Sequence, residues 1–324
     1  ARNTNSVQTR VQGFVKAYND LSAAHRNMTA YDPATKKGGP LQGDVTIQGI
    51  QNRLRTLLNT TITGLGGSLT SLSQIGVSFQ VDGSLALDTT KLTTALTNNF
   101  SDIAGLFAAV GSATDSLVGY AGSSVNTKPG NYALTVSALA TQGSTTGSAA
   151  IGSTTIVAAT NDILNLTVDG VSASVALAAG TYTNAEIAAQ LQSLINGVAA
   201  YKTAGISATV SQSGGVFAIT STRYGSASNV SITGGNGATN LFGLTPTSSA
   251  GVDAAGTING VAAVGSGQNL TGATGTSAEG LRLLISGGAL GARGSVNFSQ
   301  GHAYRLNDQV GKMLGTSGVL SART

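Results

Sequence analysis

The sequence predicts an α+β protein. Its helical domain is discontinuous, bundle-like or coiled-coil-like, and carries one small β-hairpin. A β-rich insertion of one or two small domains interrupts this helical domain. Two observations predict this class. Apolar residues recur at helical intervals in both terminal segments, whereas in the middle they alternate with polar residues. Charged residues make up only 9% of the 324 residues. Most of them lie in the terminal segments, so the composition changes where the periodicity changes.

The first predicted element is a long helix over about the first 28 residues. Its apolar residues follow one another at heptad spacing, which is typical of helices that pack against other helices. This stripe consists of Val7, Val11, Phe14, Tyr18, Leu21, His25 and Met28. Packing in the core of a bundle is the favoured role of the stripe, and a docking surface is the alternative.

A second helix and a β-hairpin follow. Asp44 is placed to cap a helix with an apolar face that includes Ile47 and Leu54. Asp82-Gly83 then separates two short stretches in which apolar and polar residues alternate, and an Asp-Gly pair in that position favours a type I′ turn. The alternating apolar residues are Val77, Phe79 and Val81 before the turn, and Leu85 and Leu87 after it.

Further helical stretches lie on both sides of the insertion. Asp88 is placed to cap a third helix. The apolar stripes are Leu92, Ala95 and Leu96, then Ile103, Leu106 and Phe107, and near the end Leu306, Val310, Met313 and Leu314. We therefore predict that residues 1–127 and 290–324 pack together as one helical leg domain, and that residues 128–289 form the β-rich insertion.

Alternating apolar residues predict strands in the insertion, for example over residues 132–136. Asp169-Gly170 joins two more alternating stretches and predicts a second hairpin. Thr183 and Glu186 have the spacing of a capping box at the start of one helix. Gly197 stands where a glycine that ends this helix in the left-handed conformation is expected.

The hexapeptide INGVAA occurs twice, at Ile195–Ala200 and at Ile258–Ala263. The first copy ends the predicted helix, whereas the second lies between glycines without helical periodicity and predicts a type I′ turn at Asn259-Gly260. Since Asn-Gly serves both helix ends and hairpin turns, we interpret the match as shared turn chemistry rather than as a structural repeat.

No constellation of catalytic or metal-ligating residues is recognisable. The chain has no Cys and only two His, His25 and His302, and neither has metal-ligand spacing to a second His or a carboxylate. Phosphate-binding glycine loops and a nucleophile elbow are missing from the sequence. We therefore predict no enzyme activity, no catalytic residue, no cofactor and no metal.

Composition also bears on partners and location. Basic residues are scattered rather than clustered with aromatic residues, which argues against nucleic-acid binding. The sequence contains no run of 18 apolar residues, so it predicts no membrane-spanning helix. A cysteine-free chain suits export through an oxidising space. The sequence starts without Met or a signal-peptide pattern, and we expect it to be a fragment.

Several local motifs occur in an order that resembles a known family. In the terminal segments they are FVKAYNDL (14–21), GPLQGD (39–44), IQNRLR (50–55), SLSQIGVSFQVDGSLALDTTKLTTAL (71–96), IAGLF (103–107) and GSVNFSQGHAYRLNDQV (294–310). In the insertion they are TNAEIAAQLQSLIN (183–196), GISATVS (205–211), VFAITSTRYG (216–225), NLFGL (240–244), AGTINGVAAVGSGQNLTG (255–272) and GLRLLISGG (280–288). Together they resemble the C-terminal region of bacterial flagellar filament-capping proteins, the FliD family, with a flagellin- and hook-type IN module at about 161–245.

The resemblance implies a secreted, extracellular protein at the tip of the bacterial flagellum, where a homo-oligomeric ring helps flagellin to fold and polymerise. It implies flagellin and hook-associated proteins as partners, and no cofactor. On this basis we regard Val7, Val11, Phe14, Tyr18 and Leu21 as candidate contacts with another subunit or with the filament.

Two alternatives stay open at this point. The β-rich insertion could make the protein chiefly an adhesin that binds host mucin or glycan. A flagellin or a hook–filament junction protein carries the same type of module and is the second alternative.

Overall fold

The computed structural model describes residues 3–34, 36–64, 67–315 and 318. Its helices are α1 (Thr4–Thr29), α2 (Val45–Asn59), α3 (Thr89–Asn98), α4 (Phe100–Phe107), α5 (Asn184–Gly197), α6 (Ala199–Ala204), α7 (Ala238–Phe242) and α8 (His302–Leu314), with a 3₁₀ turn at Leu72–Ile75.

Short strands make up most of the rest of the structure. They are β1 (Tyr31–Asp32), β2 (Lys37–Gly38), β3 (Val77–Phe79), β4 (Leu85–Leu87), β5 (Ala109–Ala113), β6 (Val118–Gly122), β7 (Gly130–Ala138), β8 (Gln142–Thr146), β9 (Thr155–Ile156), β10 (Ile163–Val168), β11 (Val171–Ala176), β12 (Gly180–Thr181), β13 (Ala208–Ser213), β14 (Val216–Tyr224), β15 (Val230–Gly234), β16 (Thr247–Ser249), β17 (Ala255–Ile258), β18 (Val261–Ala262), β19 (Val264–Ser266), β20 (Asn269–Thr271), β21 (Arg282–Ile285) and β22 (Gly291–Gln300). The mixed helix and sheet content confirms the α+β class.

The chain forms two compact units. The first unit comprises Ala1–Ala113, Ser123–Tyr132 and Ser295–Thr324, and the second comprises Thr114–Gly122 and Ala133–Gly294. The functional domain boundaries given above stay a prediction.

Local side-chain caps start the helices of the first unit where the sequence predicts them. The Asp44 carboxylate accepts hydrogen bonds from the backbone N–H groups of Thr46 and Ile47 at 2.8 and 3.2 Å. The Asp88 carboxylate accepts from Thr90 and Lys91, both at 3.0 Å. Each bond satisfies a backbone donor that has no partner inside the helix, so both predicted caps are confirmed.

The core of the first unit gathers apolar residues from α1, α2, the 3₁₀ turn, the β3–β4 hairpin, α3 and α4. Its fully buried members include Val11, Ile75, Leu92, Ile103 and Leu106. The helical stripes predicted from the sequence are therefore packed mainly against one another within a single unit, which is the favoured interpretation of the spacing.

The predicted β3–β4 hairpin is present, but its predicted turn is wrong. Phe79 pairs with Leu85, so the five residues from Gln80 to Ser84 connect the strands instead of two. The Asp82 carboxylate closes this loop by accepting from the N–H and hydroxyl of Ser84 at 3.0 and 2.6 Å. Val81 consequently lies in the loop and is fully exposed rather than in line with Val77.

The predicted stop at Gly197 is also wrong. Gly197 is the last residue of α5, but Val198 follows at φ −60° and the chain continues directly into α6. The left-handed position falls on Gly205 instead, at φ 66°. The capping box of the same helix is confirmed, because Thr183 and Glu186 bond reciprocally as predicted.

The second unit holds a separate apolar core around α5. Sheets β11–β10–β15 and β13–β14–β8–β16 contribute their inward residues to it, and Phe217, Phe242 and Tyr201 are its largest fully buried members. The Phe217 and Phe242 rings lie 6.3 Å apart between centroids. Asp169-Gly170 forms the predicted tight turn between β10 and β11, with φ of 48° and 84°.

Outside that core, β19–β20–β21–β6 form a further sheet of the second unit, and β17 pairs with β7 and β18. Asn259-Gly260 forms the predicted turn between β17 and β18, with φ of 52° and 77°. Gly256 must be glycine on β17, because a Cβ there would lie 2.1 Å from the carbonyl oxygen of Thr135. The two INGVAA copies thus adopt different structures, which confirms that they are no structural repeat.

Candidate functional site

The five candidate contact residues all lie on α1, and the structure divides them between core and surface. Val11 and Tyr18 are buried in the first unit, Val7 and Phe14 lie half-buried at the edge of its core, and Leu21 is 49% exposed. Of these five residues, Val7, Phe14 and Leu21 thus present apolar surface to solvent, whereas Val11 and Tyr18 stabilise the unit itself.

An apolar groove of about 310 Å³ adjoins Phe14. Its walls come from α1, α4 and the start of α8, and Arg10 is the charged residue among them. The groove is lined by Val7, Arg10, Val11, Phe14, Phe100, Ile103, Ala104, Phe107, Ala108 and Ala303. The Phe14 and Phe107 rings meet edge to face at 5.4 Å, which fixes one wall. The sequence indicated the apolar stripe of α4 but not Ala303, which a distant part of the chain supplies.

Asn19 joins α1 to the hairpin in a way that the sequence did not reveal. Its side-chain amide donates to the backbone carbonyl of Leu85 at 2.8 Å, and its oxygen accepts from the Leu85 N–H at 2.7 Å. The amide thus bonds to the edge of β4 as a neighbouring strand would. Tyr18 packs edge to face on Phe79 at 5.8 Å, and Arg26 forms an ion pair with Asp82 at 2.8 Å.

Replacing Asn19 by alanine is expected to lower the free energy of unfolding of the first unit by about 1–3 kcal/mol, because it leaves both backbone groups of Leu85 unpaired in a half-buried position. The matched control is Arg26→Ala, which removes an exposed ion pair and is expected to cost less than about 1 kcal/mol. Urea unfolding of both variants measures the difference, and equal losses would contradict this role of Asn19.

A small cavity of about 50 Å³ lies between α1 and α2. Ser22 Oγ and both ring nitrogens of His25 are buried beside it, and within the described part of the chain they have no hydrogen-bond partner. The surface that lines this cavity is almost entirely apolar, so the three polar atoms are enclosed by hydrocarbon rather than facing open space. His25 therefore lies partly buried between α1 and α2, and its role is structural, as its place in the heptad stripe predicts.

The surroundings shift the pKa values of Tyr18, His302 and Asp82 in the first unit, and burial raises that of Tyr18. Burial lowers the pKa of His302 to about 4, although its Nδ1 lies 3.2 Å from the carbonyl oxygen of Leu57 and that bond opposes the shift. Hydrogen bonds from Ser84 hold the pKa of Asp82 below its ordinary value, with a smaller contribution from Arg26. His302 is thus neutral at neutral pH, and Asp82 is charged.

Within residues 3–34, 36–64, 67–315 and 318, no group of three or more His, Asp or Glu side chains is placed to hold a metal ion. In the same part of the chain, none of the helices combines the length and the apolar character needed to cross a bilayer.

Comparison with known proteins identifies relatives of the chain. Residues 1–226 match the family described as "Flagellar hook-associated protein 2 C-terminus". The polar flagellar hook-associated protein 2 of Vibrio parahaemolyticus is 30% identical over 102 residues, which are 32% of this chain and 15% of that protein. Flagellar hook-associated protein 2 of Escherichia coli K12 is 33% identical over 121 residues, 35% of this chain and 25% of that protein. The chain thus matches a quarter or less of the length of these relatives.

Among solved structures, the D2-D3 domains of the flagellar cap protein FliD from Escherichia coli align with a TM-score of 0.42 at 19% identity, covering 60% of this chain and 100% of that one. The D1-D2-D3 domains of the same protein align with a TM-score of 0.40 at 18% identity, covering 68% and 67%. The sequence match extends over more than half of the chain and carries the assignment by itself. The chain therefore belongs to the flagellar hook-associated protein 2 family, and its residues 1–226 correspond to the C-terminal region of that family.

Proposed function

We propose that the chain is part of a structural assembly factor that caps the distal end of the growing flagellar filament and promotes flagellin folding and polymerisation. The observation that carries this proposal is the family match over residues 1–226. The role is mechanical rather than enzymatic, and it places the protein outside the cell at the filament tip. The comparisons do not favour the adhesin alternative, since the matched relatives are hook-associated proteins.

Within this function, we assign the helical leg of residues 1–127 and 290–324 to subunit association, and the insertion of residues 128–289 to the outer part of the cap. The partners are further copies of the chain in a ring, flagellin and other hook-associated proteins. Separate cores around α1 and around α5 support two parts with different tasks.

We further propose that the exposed margin of α1 contacts a second copy of the chain. Val7, Phe14 and Leu21 follow one another at seven-residue intervals, which is the spacing that another helix can match. The half-exposed Leu21 and the apolar groove beside Phe14 supply adjoining surface for a partner helix. Val11 and Tyr18, both buried, support this margin from within.

Complementation tests the proposal in a strain that lacks the gene for the full-length protein. Without the gene, we expect unpolymerised flagellin in the medium and few filaments, and the wild-type gene should restore them. A complementing Leu21→Glu variant should restore fewer filaments, and its purified protein should self-associate about tenfold more weakly, equivalent to about 1.4 kcal/mol.

The matched control is Gln12→Glu, which places the same charge on an exposed position of α1 away from Phe14 and Leu21 around the helix. It should behave as the wild type does. Normal filaments in the deletion strain, with attachment alone lost, would refute the cap function. Equal effects of Leu21→Glu and Gln12→Glu would refute the contact surface but leave the cap function standing.

A further inference from the structure

The duplicated hexapeptide INGVAA places the same reactive pair in two different structures. Asn-Gly is chemically labile, because the small glycine lets its backbone nitrogen approach the asparagine side chain. The described chain holds three such pairs, at Asn196-Gly197, Asn236-Gly237 and Asn259-Gly260. We propose that Asn259 is a site of spontaneous deamidation, and that the fold protects the other two.

The reaction needs water and no other reactant. The backbone nitrogen of Gly260 attacks Cγ of Asn259 and gives up its proton to solvent, the Cγ–Nδ2 bond breaks, and ammonia leaves. The resulting succinimide is then opened by water at either carbonyl. One opening gives aspartate, and the other gives isoaspartate, in which the main chain runs through the side-chain carbon.

The hairpin turn exposes and activates Asn259. Asn259 and Gly260 are both exposed, and they lie beyond the Ile258–Val261 pair that closes the β17–β18 ladder. No other group lies within 4 Å of the open side of Gly260, so the turn has room to rearrange. Oδ1 of Asn259 accepts a hydrogen bond from the Ala133 N–H at 2.9 Å. Negative charge develops on Oδ1 during the attack, so such a donor stabilises the transition state. Asn196 has an equivalent donor in the Ala208 N–H at 2.9 Å, so the two asparagines differ in exposure and at the leaving nitrogen rather than in this bond.

Asn196 has the same sequence neighbours but is held at both ends of its amide. Its Oδ1 accepts from the Ala208 N–H at 2.9 Å, and its Nδ2 donates to the Ala208 carbonyl at 3.0 Å. The leaving nitrogen must therefore break a hydrogen bond in a half-buried position. Gly197 is still part of α5, where its N–H is directed along the helix rather than toward the side chain.

Asn236 is protected through its neighbouring glycine. The Gly237 N–H donates to the Ile163 carbonyl at 2.8 Å, so the attacking nitrogen is already engaged. A Cβ on Gly237 would lie 2.6 Å from the Asn161 carbonyl oxygen, which leaves this backbone little room to move. The Asn236 Nδ2 also donates to the Asp162 carboxylate at 3.1 Å.

Deamidation changes the second unit in two ways. Either product adds a negative charge to the insertion, where Arg223, Lys202 and a few carboxylates are the charges between residues 129 and 278. Aspartate can keep the bond to Ala133, whereas isoaspartate lengthens the main chain and is incompatible with the two-residue turn.

The test is incubation of the whole folded chain at mildly alkaline pH, followed by peptide mapping with mass spectrometry that distinguishes aspartate from isoaspartate. Asn259 should react about tenfold or more faster than Asn196, which corresponds to about 1.4 kcal/mol in activation free energy. The identical hexapeptide is the internal control: in denaturant, the two asparagines should react at similar rates.

Equal rates at Asn196 and Asn259 in the folded chain would overturn the proposal. So would an unreactive Asn259 in the folded chain that reacts once the chain is denatured. A tenfold preference for Asn259 that persists in denaturant would also overturn it, because the fold would then not be the cause.

Discussion

Replacing Phe217 by alanine is expected to lower the free energy of unfolding of the second unit by about 3–5 kcal/mol. The Phe217 ring is fully buried between β14 and the rest of its core, and it packs on Phe242. Its removal loses the apolar contacts of the ring and leaves a cavity that the surrounding sheets and α5 cannot fill without moving. Hydrogen exchange of peptides from β13 and β14 measures the loss in this unit directly.

The matched control for that variant is Leu244→Ala, because Leu244 lies in the same unit but is 84% exposed. Its replacement should change the free energy of unfolding by no more than about 0.5 kcal/mol. A Phe217→Ala protein with unchanged exchange in β13 and β14 would show that this core does not hold the unit together.

Acidification is expected to destabilise the first unit between pH 6.5 and about pH 4 through His302. In the folded protein, burial lowers the pKa of His302 to about 4, whereas the unfolded chain has the ordinary value of 6.5. The unfolded state therefore binds the proton first, so the stabilisation is complete above pH 6.5 and is lost as the pH falls through the folded pKa. A shift of this size corresponds to about 3 kcal/mol.

Urea unfolding at several pH values measures the effect of His302. The variant His302→Leu removes the titrating ring, so its free energy of unfolding should depend much less on pH in this window. It will also lose the contact of His302 with Leu57, so the slope against pH rather than the absolute stability is the readout. A wild-type slope in His302→Leu would contradict the assignment.

The elements that the sequence predicted well are those determined by neighbouring residues. Asp44, Asp88 and the Thr183–Glu186 pair cap helices where predicted, because a cap depends on atoms within three residues of it. The turn at Asp169-Gly170 formed as predicted for the same reason.

Features that depend on distant contacts were predicted wrongly or missed. Asp82-Gly83 resembles Asp169-Gly170 in sequence, but the β3–β4 ladder stops at Phe79 and a longer loop results. Gly197 has the composition of a helix end, yet α6 follows and moves the left-handed residue to Gly205. For the segment from Gly291 to Gln300 no element was predicted, and it forms the strand β22, whose partner β5 lies far away in the sequence.

The candidate contact residues on α1 show the same contrast between what neighbouring residues determine and what distant contacts determine. The heptad spacing located α1 as a packing helix, but spacing alone does not reveal which members of a stripe the rest of the fold covers. Val11 and Tyr18 are covered, and Leu21 is not. Asn19 gave no signal at all, because a polar residue on a long helix usually faces solvent, and its partner Leu85 lies 66 residues away.

The bidentate amide of Asn19 occurs in the same form elsewhere in the chain. Asn196 pairs with both backbone groups of Ala208, and Asn240 pairs with both backbone groups of Ser153. These attachments between helices and their neighbours use neutral dipoles, whose interaction dissolved ions screen far less than they screen a pair of exposed charges. The contacts that attach these helices to their neighbours are therefore expected to contribute nearly the same stability in dilute and in concentrated salt.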